Sequence, residues 1–329
     1  MRAKFLALAT VAAALVAFNL TSARTAVAAG NGVTVAVLDT GIDTSHVAFA
    51  NVGAVQWKDF TPTNHSTPFD DNGHGTLVSS MIVGTGTTPA ALAPGTSLAV
   101  GKVLDASGSS AGDIAAALHW AVDTVHADII NMSFGAYIPL TGALQTSEYD
   151  AIAYARSRGA LVVVANGNGL ANLGLVPDPG WAAAFGNAGN VLSVGASDID
   201  GLFVNTDPDV AAVYTVTGAA ANTHNGYVTE SGTSFSSPYT AGFAARVLAA
   251  SRSGGNPLSA AGLQTLIEYS ARDTILPPTQ EGYGVIDAAQ LPAAVAHATD
   301  GTLPPAPGQP NGIYMGTLVP LLRTAGRSL

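Results

Sequence analysis

The chain has 329 residues, 48% of them apolar and only 10% charged, with a formal net charge of −10 and no cysteine. Disulfides and thiolate metal sites are therefore excluded, and the basic face that nucleic-acid binding requires is missing. The length allows one large core, and no low-complexity stretch divides it.

Residues 1–29 read as an export signal. Arg2 and Lys4 precede the apolar run Phe5 to Leu20, and the small residues Ala26-Val27-Ala28-Ala29 predict a cut after Ala28 or Ala29. A retained anchor is the alternative, but the run is short for a membrane span. Nothing after Leu20 is apolar for long enough to cross a bilayer. The expected location is secreted, periplasmic or extracellular, with no membrane association once the signal is gone.

From residue 30 onward, short apolar runs alternate with helical patterns. The predicted strands are 33–38, 97–104, 128–132, 160–165, 191–194 and 213–216. Between or after them come predicted helices at 75–83, 111–126, 148–158, 234–250 and 259–270. Near-continuous apolar strands are those covered on both faces. The order implies an α/β fold with a doubly wound, mostly parallel central sheet flanked by helices, and with functional groups at the carboxyl ends of its strands. Asp39 occupies such an end. Residues 30–300 are expected to form one domain. Gly301 to Leu329, opening with Leu303-Pro304-Pro305-Ala306-Pro307, reads as a tail.

Three short segments carry the chemistry. Asp39 follows Val37-Leu38 and precedes Thr40-Gly41. His74 sits in Asn72-Gly73-His74-Gly75-Thr76. Ser234 sits in Gly232-Thr233-Ser234-Phe235-Ser236-Ser237-Pro238, at the start of an apolar run that reads as a buried helix. Taken singly, an aspartate at a strand end caps a turn, a serine caps a helix, and a histidine is one of seven. Taken together they are the carboxylate, imidazole and hydroxyl that nucleophilic catalysis needs. A serine at a helix N-terminus also lies beside free N–H groups that stabilise an oxyanion.

These blocks, in the order Asp, His, Ser, resemble the signatures of the subtilisin-like serine proteases. Ile130-Asn131-Met132-Ser133-Phe134-Gly135 is similar to the family's substrate-binding strand, and Val162 to Gly169 to its oxyanion block. Gly282-Tyr283-Gly284-Val285-Ile286-Asp287-Ala288 is similar to its closing segment. The resemblance implies a serine endopeptidase in which Ser234 attacks, His74 moves the proton, Asp39 orients the imidazole and the Asn168 amide binds the oxyanion. Asn166 is the competing amide; the Gly167-Asn168 register favours Asn168, leaving Asn166 to loop hydrogen bonding. Protein or peptide substrates would pair with two backbone edges, Gly108-Ser109-Ser110 and Ser133-Phe134-Gly135, with Gly167 beside them. Phe134 and the wall from Ala165 to Gly169 suggest an apolar primary pocket.

The chain also departs from that family. A prodomain is usual, yet only about ten residues separate the predicted cut from Asp39, so either folding needs no such aid, a prodomain or chaperone acts in trans, or the sequence starts late in its gene. The calcium-site carboxylate after the Asp block is replaced by Ala48, and residues 85–92 are short and lack carboxylates. No cofactor is expected and that calcium site is expected to be absent. Asp70-Asp71 reads as a solvated turn, with a weak calcium ion as the alternative. The turn upstream of the serine block becomes Thr217-Gly218-Ala219-Ala220. Two other functions stay open: a peptidyl transferase or cyclase on the same scaffold, and a silent binding protein.

Overall fold

The first strand, β1 (Thr34–Asp39), sets the layering, because successive side chains of a strand point to opposite faces. Val35 and Val37 belong to one apolar cluster, and Ala36 and Leu38 to a second on the other face. The same alternation recurs in β5 (Leu161–Ala165), where Val163 joins the first cluster and Val162 and Val164 the second. The computed structural model describes residues 30–108, 112–134, 146–168, 191–197, 200, 204–205, 207–274 and 276–307.

Among the described residues, β1 and β5 join β2 (Val55–Asp59), β3 (Ser97–Lys102), β4 (Ile129–Met132), β6 (Leu192–Ala196) and β7 (Val210–Ala212) in one parallel sheet. Its order is β2–β3–β1–β4–β5–β6–β7, so the winding reverses about β1. The reversal opens a crevice at the carboxyl end of β1, and Asp39 ends that strand. The expected doubly wound architecture is present.

Helices His74–Val83 and Thr233–Ser253 supply the first cluster, and Ile114–Asp123 supplies the second. Asp113 caps the last of these by accepting from the Ala116 N–H at 2.8 Å, and Ser259 caps Ala260–Ser270 the same way through Gly262. Thr233–Ser253 is buried along nearly its whole length and around its circumference, as its continuous apolar sequence predicts.

One predicted strand is corrected. Residues 213–216 straddle the exit from the sheet: Val213 and Tyr214 follow β7, and Thr215 opens β8 (Thr215–Ala219). β8 pairs with β9 (Tyr227–Ser231) in an antiparallel hairpin outside the main sheet, and Thr217 on its other edge bridges Thr88. Strands β2, β7 and β9 and the helices Pro278–Glu281 and Leu291–Asp300 were not expected. β2 is a half-exposed edge strand and β9 is polar and mostly exposed, so neither shows an apolar run. The signal for Leu291–Asp300 was present in Leu291, Ala294, Val295 and Ala298, one face of a helix.

Candidate active site

The Asp and His blocks are drawn together by two glycines. A Cβ at Gly75 would stand 2.3 Å from the Gly41 carbonyl oxygen, and a Cβ at Gly41 would stand 1.9 Å from that of Phe69. Only hydrogen fits at either place, so the strand end and the helix start can touch. Across that contact the Asp39 carboxylate, wholly buried, accepts at Oδ1 from the Thr40 N–H at 2.7 Å and pairs with His74 Nδ1 at 2.8 Å. Asp39 Oδ2 is buried without a partner among the described residues. With Nδ1 held by the carboxylate, Nε2 is the ring nitrogen left for the cleft.

The imidazole is 27% exposed. Burial is the strongest influence on its pKa and pulls it down; the charge and hydrogen bond of Asp39, helped by Asp70 and Glu230, outweigh burial and leave it above the usual histidine value.

Asp70, read from sequence as part of a solvated turn, is instead a buried hub, 2% exposed. Its Oδ1 accepts from Thr40 Oγ1 at 2.9 Å and from the N–H groups of Asn72 and Gly73. Its Oδ2 accepts from the N–H and hydroxyl of Thr76 at 2.9 and 2.6 Å. Thr40 Oγ1 in turn accepts from the Gly75 N–H at 2.8 Å. One carboxylate thus fastens the residue after Asp39 to the residues on both sides of His74. Asp71 pairs with the buried Lys102 at 2.6 Å, and Lys102 also donates to the carbonyls of Thr40 and Leu104. The turn expectation failed because composition cannot reveal which donors will surround a carboxylate.

Ser234 is the second residue of the helix Thr233–Ser253, where first-turn N–H groups lack intrahelical acceptors. Its hydroxyl donates to the Ser133 carbonyl at 2.9 Å. Asn168 lies beside it: its Oδ1 accepts from the Thr233 N–H at 3.0 Å and the Thr233 hydroxyl at 3.2 Å, which leaves Nδ2 as the free end of the amide. Thr233 Oγ1 also accepts from the Gly167 N–H at 3.1 Å. Asn166 is 1% exposed and donates to Ser193 Oγ at 2.9 Å, the loop role expected for it. His74, Ser234 and Asn168 line one cleft of about 530 Å³, together with Phe235, whose ring centroid lies 5.6 Å from that of His74.

The expected substrate edges are described in part. Gly108 closes a turn, its N–H donating to the Asp105 carbonyl at 2.9 Å, and Ser133 and Phe134 continue from β4. Phe134 packs against the second core cluster. Ser109, Ser110 and Gly135 lie outside the described residues, as do Gly169, residues 1–29 and the tail beyond 307. Sequence reasoning missed Thr40, Asp70, Thr76, Lys102 and Thr233. Thr40, Asp70, Thr76 and Thr233 were signalled only by position near the reactive residues, and Lys102, brought opposite Asp39 by the pairing of β1 and β3, had no such signal.

Around Ala48 the fit to a calcium ion is poor. The Ala48 carbonyl accepts from the Thr85 N–H at 3.0 Å, and the Thr85 carbonyl accepts from the Tyr227 hydroxyl at 2.7 Å. Each of these carbonyls already accepts a protein hydrogen bond, and Ala48 offers no carboxylate.

The family model described as the subtilase family matches residues 30–285. The chain belongs to that family. It is 33% identical to a subtilisin from Bacillus sp. (strain TA39), over 80% of this chain and 67% of that protein. It is 34% identical to a thermostable alkaline protease from Halalkalibacterium halodurans, over 66% and 57%, and 32% identical to thermitase from Thermoactinomyces vulgaris, over 70% and 80%. The chain thus spans between 57% and 80% of the lengths of these relatives. By class it is a serine-type endopeptidase.

Proposed function

We propose that this protein hydrolyses peptide bonds of proteins or peptides through Asp39, His74 and Ser234, with an acyl-enzyme intermediate. The observation that carries the reading is the 2.8 Å contact between His74 Nδ1 and the buried Asp39 carboxylate, in a cleft that also receives Ser234 and Asn168. Asp39 fixes the tautomer, so neutral Nε2 is the base. As Ser234 Oγ bonds to the scissile carbonyl carbon, its proton passes to Nε2. The charge that forms on the carbonyl oxygen is met by the Ser234 N–H and Asn168 Nδ2. When the C–N bond breaks, the imidazolium returns the proton to the departing amine. Water then attacks the acyl group by the same route, releasing the acid and restoring the hydroxyl.

Residues 1–29 support export, and among the described residues no helix is long and apolar enough to cross a membrane. No calcium ion is assigned beside Ala48. The deciding experiment is fluorophosphonate labelling of purified protein. Label that is lost in Ser234→Ala, at an unchanged melting temperature, supports the reading. Folded wild-type protein that takes no label sinks it in favour of a silent binding role.

A further inference from the structure

The acyl side of a substrate is assigned to the Ser133 and Gly108 edges, and neither residue lines the cleft beside His74. The imidazole must hand its proton to the departing amine, so the departing segment leaves past His74 into that cleft. Its far wall is built by the β8–β9 hairpin. Val228 and Glu230 alternate with Thr229 along β9, so they share one face of it, and both line the cleft. Val228 is 36% exposed and is the apolar side chain that this wall presents, since Leu77 and Phe235 reach the cleft only from within the core. Glu230 is exposed, and among the described residues no ion pair engages its carboxylate. No lysine or arginine lines the cleft.

An exposed valine two residues from a free carboxylate on the same strand face is complementary to a side chain with an aliphatic stem and a cationic tip. We infer that Glu230 is a specificity-determining residue, selecting lysine or arginine in the substrate segment immediately after the cut bond. The inference rests on the peptidase reading above. Glu230 also contributes to the field that favours the charged His74, which places its carboxylate within electrostatic reach of the reacting groups.

Internally quenched peptides with one common acyl sequence, and with Lys, Arg, Ala or Glu at the first or second position after the cut, test it. For one of these positions, kcat/KM should favour Lys and Arg over Ala by about 3- to 5-fold, the scale of a solvent-facing ion pair, and should disfavour Glu. The Lys-to-Ala ratio should shrink with added salt, collapse toward 1 in Glu230→Gln, and invert in Glu230→Lys. Position 230 is an exposed hairpin site, so melting temperatures of the variants report that folding is retained. Equal rates for Lys, Arg, Ala and Glu at both positions overturn the assignment of Glu230 alone. Failure to cleave any of the peptides overturns the peptidase reading on which it stands.

Discussion

The hydroxyl of Ser234 is bonded to the carbonyl oxygen of Ser133, 2.9 Å away, rather than to the imidazole. Ser133 lies on the edge assigned to substrate pairing, so its carbonyl is the acceptor an incoming peptide N–H would seek. On the proposed mechanism, a bound peptide that donates there would displace the hydroxyl and leave it to turn to His74.

An ester in place of that one substrate N–H tests the idea. The ester analogue cannot displace Ser234 and should lose about 10-fold in kcat/KM, the worth of one hydrogen bond at about 1.4 kcal/mol, with the loss mainly in kcat. A loss confined to KM would mean that the N–H serves binding alone.

The acid limb of the pH–rate profile should report His74. Its pKa lies above the usual value, so the proton must be removed at correspondingly higher pH before the imidazole acts as base. The sign for stability is opposite. A raised pKa contributes stability that is present below the ordinary histidine pKa and is lost as pH rises through the raised one. Asp70→Asn removes one of the carboxylates that hold the proton and loosens the bonds around His74. The acid limb should move to lower pH, and kcat should fall by roughly 10- to 100-fold through misplacement of the imidazole. A fall in rate with a stationary limb would reduce Asp70 to a purely structural group.

What could be read before the coordinates was what local pattern encodes. β1, β4 and β5 are apolar runs whose ends were placed to within a residue or two, because strands covered on both faces leave that mark. Asp39, His74, Ser234 and Asn168 stand out as candidates because each sits in a short block with a distinctive neighbour. Asp70 was not. Its role depends on donors from Thr40, Asn72, Gly73 and Thr76 converging on one carboxylate, and the Thr40 contact spans 30 positions of chain. The hairpin strand β9 was hidden for another reason: its Thr-Glu-Ser segment is exposed, and exposed polar strands look like loops.

Thr233 holds Asn168 by two contacts to Oδ1 and so fixes where Nδ2 points. Thr233→Val keeps the shape and removes the hydroxyl, and kcat should drop by about 10-fold, the effect of one hydrogen bond. Asn168→Ala should cost about 10²- to 10³-fold in kcat. The double variant should be no slower than Asn168→Ala where the Asn168 contact, and not the Gly167 contact of the same hydroxyl, carries the effect of Thr233. Additive losses would show that Thr233 works by another route.

With protein donors on the Ala48 and Thr85 carbonyls, stability should not depend on calcium there. Thermal melts with chelator and with added calcium should coincide. A melting temperature that falls on chelation and recovers with calcium would require an oxygen-ligated ion in this chain after all.

Asp59 predicts the acid limit of the fold. Burial pushes its pKa up, but the hydrogen bonds from Thr61 and His65 pull harder and lower it to about 2. The Thr61 N–H and hydroxyl donate at 2.8 and 2.7 Å, the His65 N–H donates at 2.8 Å, and the His65 ring lies 2.9 Å away. A lowered carboxylate pKa contributes stability that is present above the ordinary aspartate value and is lost as pH falls through the folded one. The shift corresponds to about 2 kcal/mol. Asp59→Asn should therefore melt earlier than wild type at neutral pH, and the gap should close between about pH 4 and pH 2. The Ser234→Ala background keeps autolysis out of the measurement. A gap that is constant down to pH 2 would mean that the amide fails for reasons of shape, with no contribution from charge.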